Sequence, residues 1–231
     1  MIRHESVNVI APDPLAVRAA SLDELRRIRL PLPPPKFPLV WEAGDRVELR
    51  PRGDIEARAA VLNVVLARCF GMPPELAMSW LLGCHLVDAV TPPEWHFVVS
   101  GKGDHRSFAL HLEALFALAW LLGLVKNLDP IAPPDDRLVD LFPDLPQGET
   151  FSQWRSRTLS VPREPREAAA MLDLYYCLDW SYLALERRRG VLPGPIDSNA
   201  IGQRRWALEW GVVFFGPYHA PPGGWEEVDL S

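Results

Sequence analysis

Apolar residues along this chain recur at helical spacing within stretches that proline does not interrupt. Proline removes a backbone donor and clashes with the preceding turn, so proline-free stretches bound where long helices can lie. Six of them reach sixteen residues or more: 15–30, 52–72, 75–91, 94–129, 166–192 and 196–216. In 52–72, Ile55, Ala59, Leu62, Leu66, Cys69 and Phe70 recur at spacings of three and four, with Glu56, Asn63 and Arg68 off that stripe and Gly71 as the stop. A second helix is predicted from Pro73 or Pro74 through Leu76, Trp80, Leu81, Cys84 and Val87. Thr91-Pro92-Pro93-Glu94 has capping-box spacing and predicts a short helix through Trp95 and Val98. Asp104 is placed to cap the longest helix, about 105–125, which is apolar on nearly all sides and is therefore predicted to be the centre of the core. Met171, Leu174, Tyr175, Leu178, Tyr182 and Leu185 mark a further helix, and Ile201, Trp206 and Trp210 a last one near 198–213.

Between these lie weaker signals. Seven prolines in 130–165 read as a long ordered loop or crossover with short turns. Strand character is confined to 39–50, where Ala43-Gly44-Asp45 is a candidate turn joining Leu39-Val40-Trp41 to Val47-Glu48-Leu49 as a small β-hairpin. Residues 31–38 read as a polyproline-like linker. The pattern predicts a mainly α fold. It consists of one globular helical domain over 51–231, with six to eight helices around a buried central helix, preceded by an N-terminal extension over 1–50 that carries the linker and the hairpin.

Composition narrows the function. With 231 residues, 48% of them hydrophobic and 23% charged, the chain can bury a core. Its formal charge of −6 argues against a general nucleic-acid binder, which needs excess cation to neutralise phosphate. The 24 basic residues include only three lysines, Lys36, Lys102 and Lys126. Cys69, Cys84 and Cys177 are odd in number, far apart and embedded in apolar runs, which is core usage in a reducing compartment. Residues 1–17 carry His4, Glu5, Asp13 and two prolines where a signal peptide needs an apolar stretch, so a cytoplasmic protein is predicted. The stretch 107–125 is about long enough to span a membrane, but His111 and Glu113 interrupt it, and a buried helix is the better reading.

The common catalytic motifs are absent: no Walker loop, dinucleotide fingerprint, nucleophile elbow, H-E-x-x-H or C-x-x-C is found. The richest polar set is His85, Asp88, Glu94, His96, Asp104, His105, His111 and Glu113. His85 and Asp88 stand three apart and Asp104 and His111 seven apart, so each pair can share a helix face and offer metal ligands. Glu113 sits between Leu112, Leu115 and Phe116, where a buried carboxylate needs a partner. Arginines on otherwise apolar helices, Arg58, Arg68, Arg204 and Arg205, are the candidates, as a buried ion pair or as the lining of a pocket. The nine tryptophans, Trp206 and Trp210 among them, read chiefly as core filling.

Arg58 with Val61-Leu62, the run from Glu113 through Trp120 to Gly123, and Gln203-Arg204-Arg205-Trp206-Ala207-Leu208-Glu209-Trp210 followed by Trp225-Glu226-Glu227-Val228-Asp229 resemble a bacterial family catalogued as domain of unknown function 4272. The likeness runs over about residues 53–230, with Gln203 standing where the family motif has glutamate. The resemblance implies a predominantly helical cytosolic bacterial protein, supplies no activity, and groups Glu113 with Arg204 and Arg205. The combined expectation is a non-enzymatic interaction or ligand-binding domain with a protein or small-molecule partner and no cofactor, nucleic acid or membrane. The alternative is a metal-dependent hydrolase-like enzyme built on His85, Asp88, Asp104 and His111.

Overall fold

The computed structural model describes residues 9–230. Its helices follow the proline-free stretches. Asp13 caps α1 (Pro14–Arg27), accepting the N–H of Leu15 at 3.0 Å, and Pro14 fits the first turn because its missing N–H is not needed there. A short strand β1 (Arg46–Leu49) precedes α2 (Arg52–Cys69), which leads through Gly71 at φ +97° to α3 (Pro74–Gly83). The Thr91–Glu94 capping box starts α4 (Pro92–Ser100), and Asp104 caps α5 (His105–Ala109) by accepting the N–H of Arg106. There follow α6 (His111–Leu121), α7 (Phe151–Arg157), α8 (Pro165–Arg187), α9 (Ser198–Gly211) and β2 (Val212–Phe215). Among the described residues the fold is mainly helical with one two-stranded antiparallel sheet, and no helix is long and apolar enough to cross a membrane.

The core is organised by α6, which packs on α9 and α2, while α8 packs on α9 and α1. Every residue from Glu113 to Leu121 is buried. The predicted 105–125 helix is interrupted at Leu110, which keeps helical dihedrals (φ −67°, ψ −13°) but separates α5 from α6, and it ends at Leu121; Phe108 stacks on Phe97 of α4 at 4.3 Å while α6 lies against α9.

Three expectations need correction. The amphipathic reading of α2 fails: α3 and α4 form a second layer over Ala60, Val61, Val64 and Val65, and Glu56 and Asn63 are buried as well, Glu56 against Arg52 and Arg155 and Asn63 against the Pro143 carbonyl. The strand at 47–49 exists, but its partner is β2 rather than 39–41, in the register Val47 opposite Phe214 and Leu49 opposite Val212. Trp41 instead fills space beneath the sheet, stacked on Phe214 at 5.1 Å with its indole N–H donated to the Pro12 carbonyl at 2.8 Å. The proline-rich 130–165 stretch holds a 3-10 turn, Leu138–Leu141, and α7, which begins at a Thr150–Gln153 capping box. Residues before position 50 contribute Leu25, Leu30, Trp41 and Val47 to the same apolar cluster as α6 and α8.

Candidate functional site

Arg204 on α9 is fully buried, and its guanidinium is consumed by protein partners. It donates Nε to Glu113 Oε2 at 2.7 Å, Nη1 to the Asp129 carbonyl at 2.6 Å and the Tyr175 hydroxyl at 3.3 Å, and Nη2 to the Ala132 carbonyl at 2.8 Å. Its Cζ lies over the Phe116 ring, 4.9 Å from the ring centre. Burial pushes the Glu113 carboxyl above its ordinary value, outweighing the pull of Arg204, and burial likewise pushes the Tyr175 hydroxyl up to about 12.

Arg58 and Arg205 do not meet Glu113. Arg58 shares the face of α2 that carries Val61 and Val65, so it points at the α3–α4 layer, where it pairs with Glu94 and donates to the Ala89 carbonyl at 2.9 Å. His111 Nε2 stands 3.3 Å from the same Glu94. Burial alone would raise the Glu94 carboxyl, but the neighbouring His111 imidazole and the Arg58 guanidinium hold it at about 2. Arg205, one residue and about 100° around α9 from Arg204, pairs with Asp179 of α8 at 2.6 Å and Glu209 at 3.3 Å. Arg68 donates to the Val98 and Met72 carbonyls, bracing the end of α2. Trp206 and Trp210 flank Trp225, whose ring lies 4.3 Å from the Arg58 guanidinium.

Two buried carboxylates, Asp173 and Glu56, were given no partner by the sequence reading. Arg18 of α1 makes a forked contact with Asp173 of α8, at 3.1 Å from Nε and 2.7 Å from Nη2, and Ser21 Oγ adds 2.7 Å to the other oxygen. Glu56 accepts from Arg52 at 2.6 Å and from Arg155 at 2.7 Å. Asp173 lies between Leu172 and Leu174, so the reasoning that singled out Glu113 applies to it equally.

The proposed metal set does not assemble. His85 adopts φ +56° just after α3, Asp88 lies in the 3-10 turn Val87–Ala89, Asp104 is spent as a helix cap and His111 faces Glu94. Among the described residues no three His, Cys, Asp or Glu side chains converge as a ligand set. The hydrolase alternative is therefore left without its ligands there.

A concave feature of the described residues lies elsewhere. A groove of about 900 Å³ runs between α2, the 138–149 segment and α7, lined by Leu66, Phe70, Leu112, Val139, Phe142 and Leu145, with polar groups at its margins. Phe70, at the end of α2, is 80% exposed. The segment forming its wall is pinned at four points. The Trp154 indole donates to the Leu141 carbonyl at 2.8 Å, and the Trp80 indole to that of Glu149 at 2.8 Å. Asn63, buried on α2, donates to Pro143 at 3.1 Å, and Arg157 donates to Phe142 at 3.0 Å while gripping both oxygens of Glu149. Sequence reading missed this site because its wall has no period. The signal that was present is the length of the connection, since ordered loops beyond about 12–15 residues are uncommon and often functional.

No curated protein and no solved structure matches this chain. The family described as "Domain of unknown function (DUF4272)" matches residues 18–228, which takes in most of α1 and the whole sheet as well as the Glu113 and Arg204 motifs. The chain belongs to that family.

Proposed function

We propose that this protein is a cytoplasmic, non-enzymatic ligand-binding domain whose site is the groove between α2 and the 138–149 segment. The observation that carries this reading is a concavity of about 900 Å³ with apolar walls and a wall segment already fixed by four hydrogen-bonded ties. Small-molecule sites have this size, apolar lining and pre-formed character. The buried charges support it from the other side: Arg204, Arg58, Arg205 and Arg18 are each committed to a carboxylate and to neighbouring helices, which is structural use. A net charge of −6 favours small molecules over nucleic acid as partners.

The test is a thermal-shift screen of a chemically diverse small-molecule library against the parent protein and Ala67→Trp, which places an indole in the groove from a lining position. At least one compound class is expected to raise the midpoint of the parent and not that of the variant. A library in which no compound distinguishes the two proteins overturns the reading.

A further inference from the structure

We infer that the groove selects amphipathic cations, molecules with an apolar body and a protonated or quaternary amine; this deepens the ligand-binding reading above and rests on it. Among the described residues, three carboxylates line the groove, Asp140, Asp144 and Glu149, against one guanidinium, Arg157. That guanidinium is not free to receive an anion. It holds Glu149 through Nε at 2.5 Å and Nη2 at 2.9 Å, and Nη2 also serves the Phe142 carbonyl, so Arg157 and Glu149 cancel each other and act as a strut. What remains is negative. Asp144 accepts only the local N–H of Gln147 at 3.1 Å, and Asp140 meets Arg137 at 3.3 Å in a solvent-screened contact whose arginine is 86% exposed. Arg137 and Asp140 also line a smaller adjoining hollow of about 340 Å³, together with Asp135, so the acidic margin continues past the groove. With Glu149 balanced by Arg157, the stretch 135–148 that leads into and forms the wall carries Asp135, Asp136, Asp140 and Asp144 against Arg137.

An apolar trough beside a margin of exposed, net-negative carboxylates matches a ligand whose hydrocarbon lies on Leu66, Leu112 and Phe142 and whose ammonium sits at the Asp140–Asp144 margin. The exposed ring of Phe70 adds a second preference of the same sign, because an aromatic face attracts cations and repels anions. Matched carboxylates meet like charge at the same place and are rejected by it.

The experiment titrates octylamine, octanoate and octan-1-ol, each below its aggregation concentration, into the full-length protein and follows amide NMR shifts at Gln147 and Gly148. Octylamine is expected to move these signals and to bind at least about tenfold tighter than octanoate, and the Asp140→Asn/Asp144→Asn double variant to narrow that gap to roughly threefold or less. Asparagine keeps the acceptor for the Gln147 N–H, so the wall survives the substitution. Octanoate or octanol binding the groove as tightly as octylamine overturns the cation inference while leaving the groove a ligand site. Failure of all three to shift the groove signals also overturns it, and the comparison with Ala67→Trp then judges the groove on its own.

Discussion

Arg204 on α9 and Glu113 on α6 meet at 2.7 Å with the guanidinium wholly out of water, fastening together the two helices that share the core. Removing one partner strands the other, whereas removing both restores neutrality. Glu113→Ala is expected to cost about 3–5 kcal/mol, and the double variant Glu113→Leu/Arg204→Met to recover part of that loss, since the Asp129 and Ala132 carbonyls and the Tyr175 hydroxyl then lose their donor. Urea denaturation of the three proteins checks this. A Glu113→Ala protein that unfolds at the parent's midpoint would show that the pair contributes nothing.

The two buried glutamates respond to pH in opposite senses. Glu94 is held at about 2 against an ordinary 4.5, so its stabilisation is present above 4.5 and drains away as pH falls toward 2. A depression of that size is worth roughly 3 kcal/mol. Glu113 is raised, so its contribution is present below 4.5 and is lost as pH rises through its folded value. Glu94→Gln is therefore expected to flatten the stability curve below pH 4.5, and Glu113→Gln to remove a decline above it. Denaturation midpoints from pH 2 to 8 measure both slopes, and identical slopes for the two variants would refute the assignment.

Glycine positions differ by what surrounds them. Gly123 has φ +72°, and a Cβ there would stand 2.0 Å from the Val161 carbonyl oxygen, so Gly123→Ala is expected to destabilise by about 1–3 kcal/mol or more. Gly53 lies in the first turn of α2 with nothing within 4 Å of an added Cβ, and Gly53→Ala is expected to stabilise by about 0.4–1 kcal/mol. Thermal melting of the pair tests the contrast, which fails if both move in one direction.

Thiol reactivity follows burial. Cys177 is wholly buried on α8, and burial with the neighbouring Asp173 charge pushes its thiol up to about 12. Cys69 and Cys84 are only half-buried. Iodoacetamide on the native protein should label these two well before Cys177, as read by peptide mass spectrometry. Early labelling of Cys177 would show that α8 opens locally far more readily than its packing suggests.

Local signals proved strongest where local physics decides. Thr91, Asp104 and the prolines set helix starts through bonds made within a few residues, and these were legible in the sequence. Burial of Glu113 followed from its neighbours in the same way. The choice of Arg204 among four arginines did not, because it depends on which face α9 turns toward α6. The burial of Glu56 and Asn63, set off the apolar stripe, was not legible because their partners, Arg155 of α7 and the Pro143 carbonyl, are distant in sequence. The groove was invisible for the same reason: its floor is on α2 and its wall some eighty residues later, where Asn63 reaches Pro143.

The sheet has a consequence for how the protein comes into being. A ribosome delivers α1, Trp41 and β1 early, yet their packing partners α8, Phe214 and β2 emerge near the end. Val47 must wait for Phe214, which follows far later in the sequence. The helices from α2 to α6 can gather around one another during synthesis, but the first quarter of the chain can only be locked down afterwards. Such long-range closure slows folding and leaves an unpaired strand and an uncovered tryptophan exposed in the meantime.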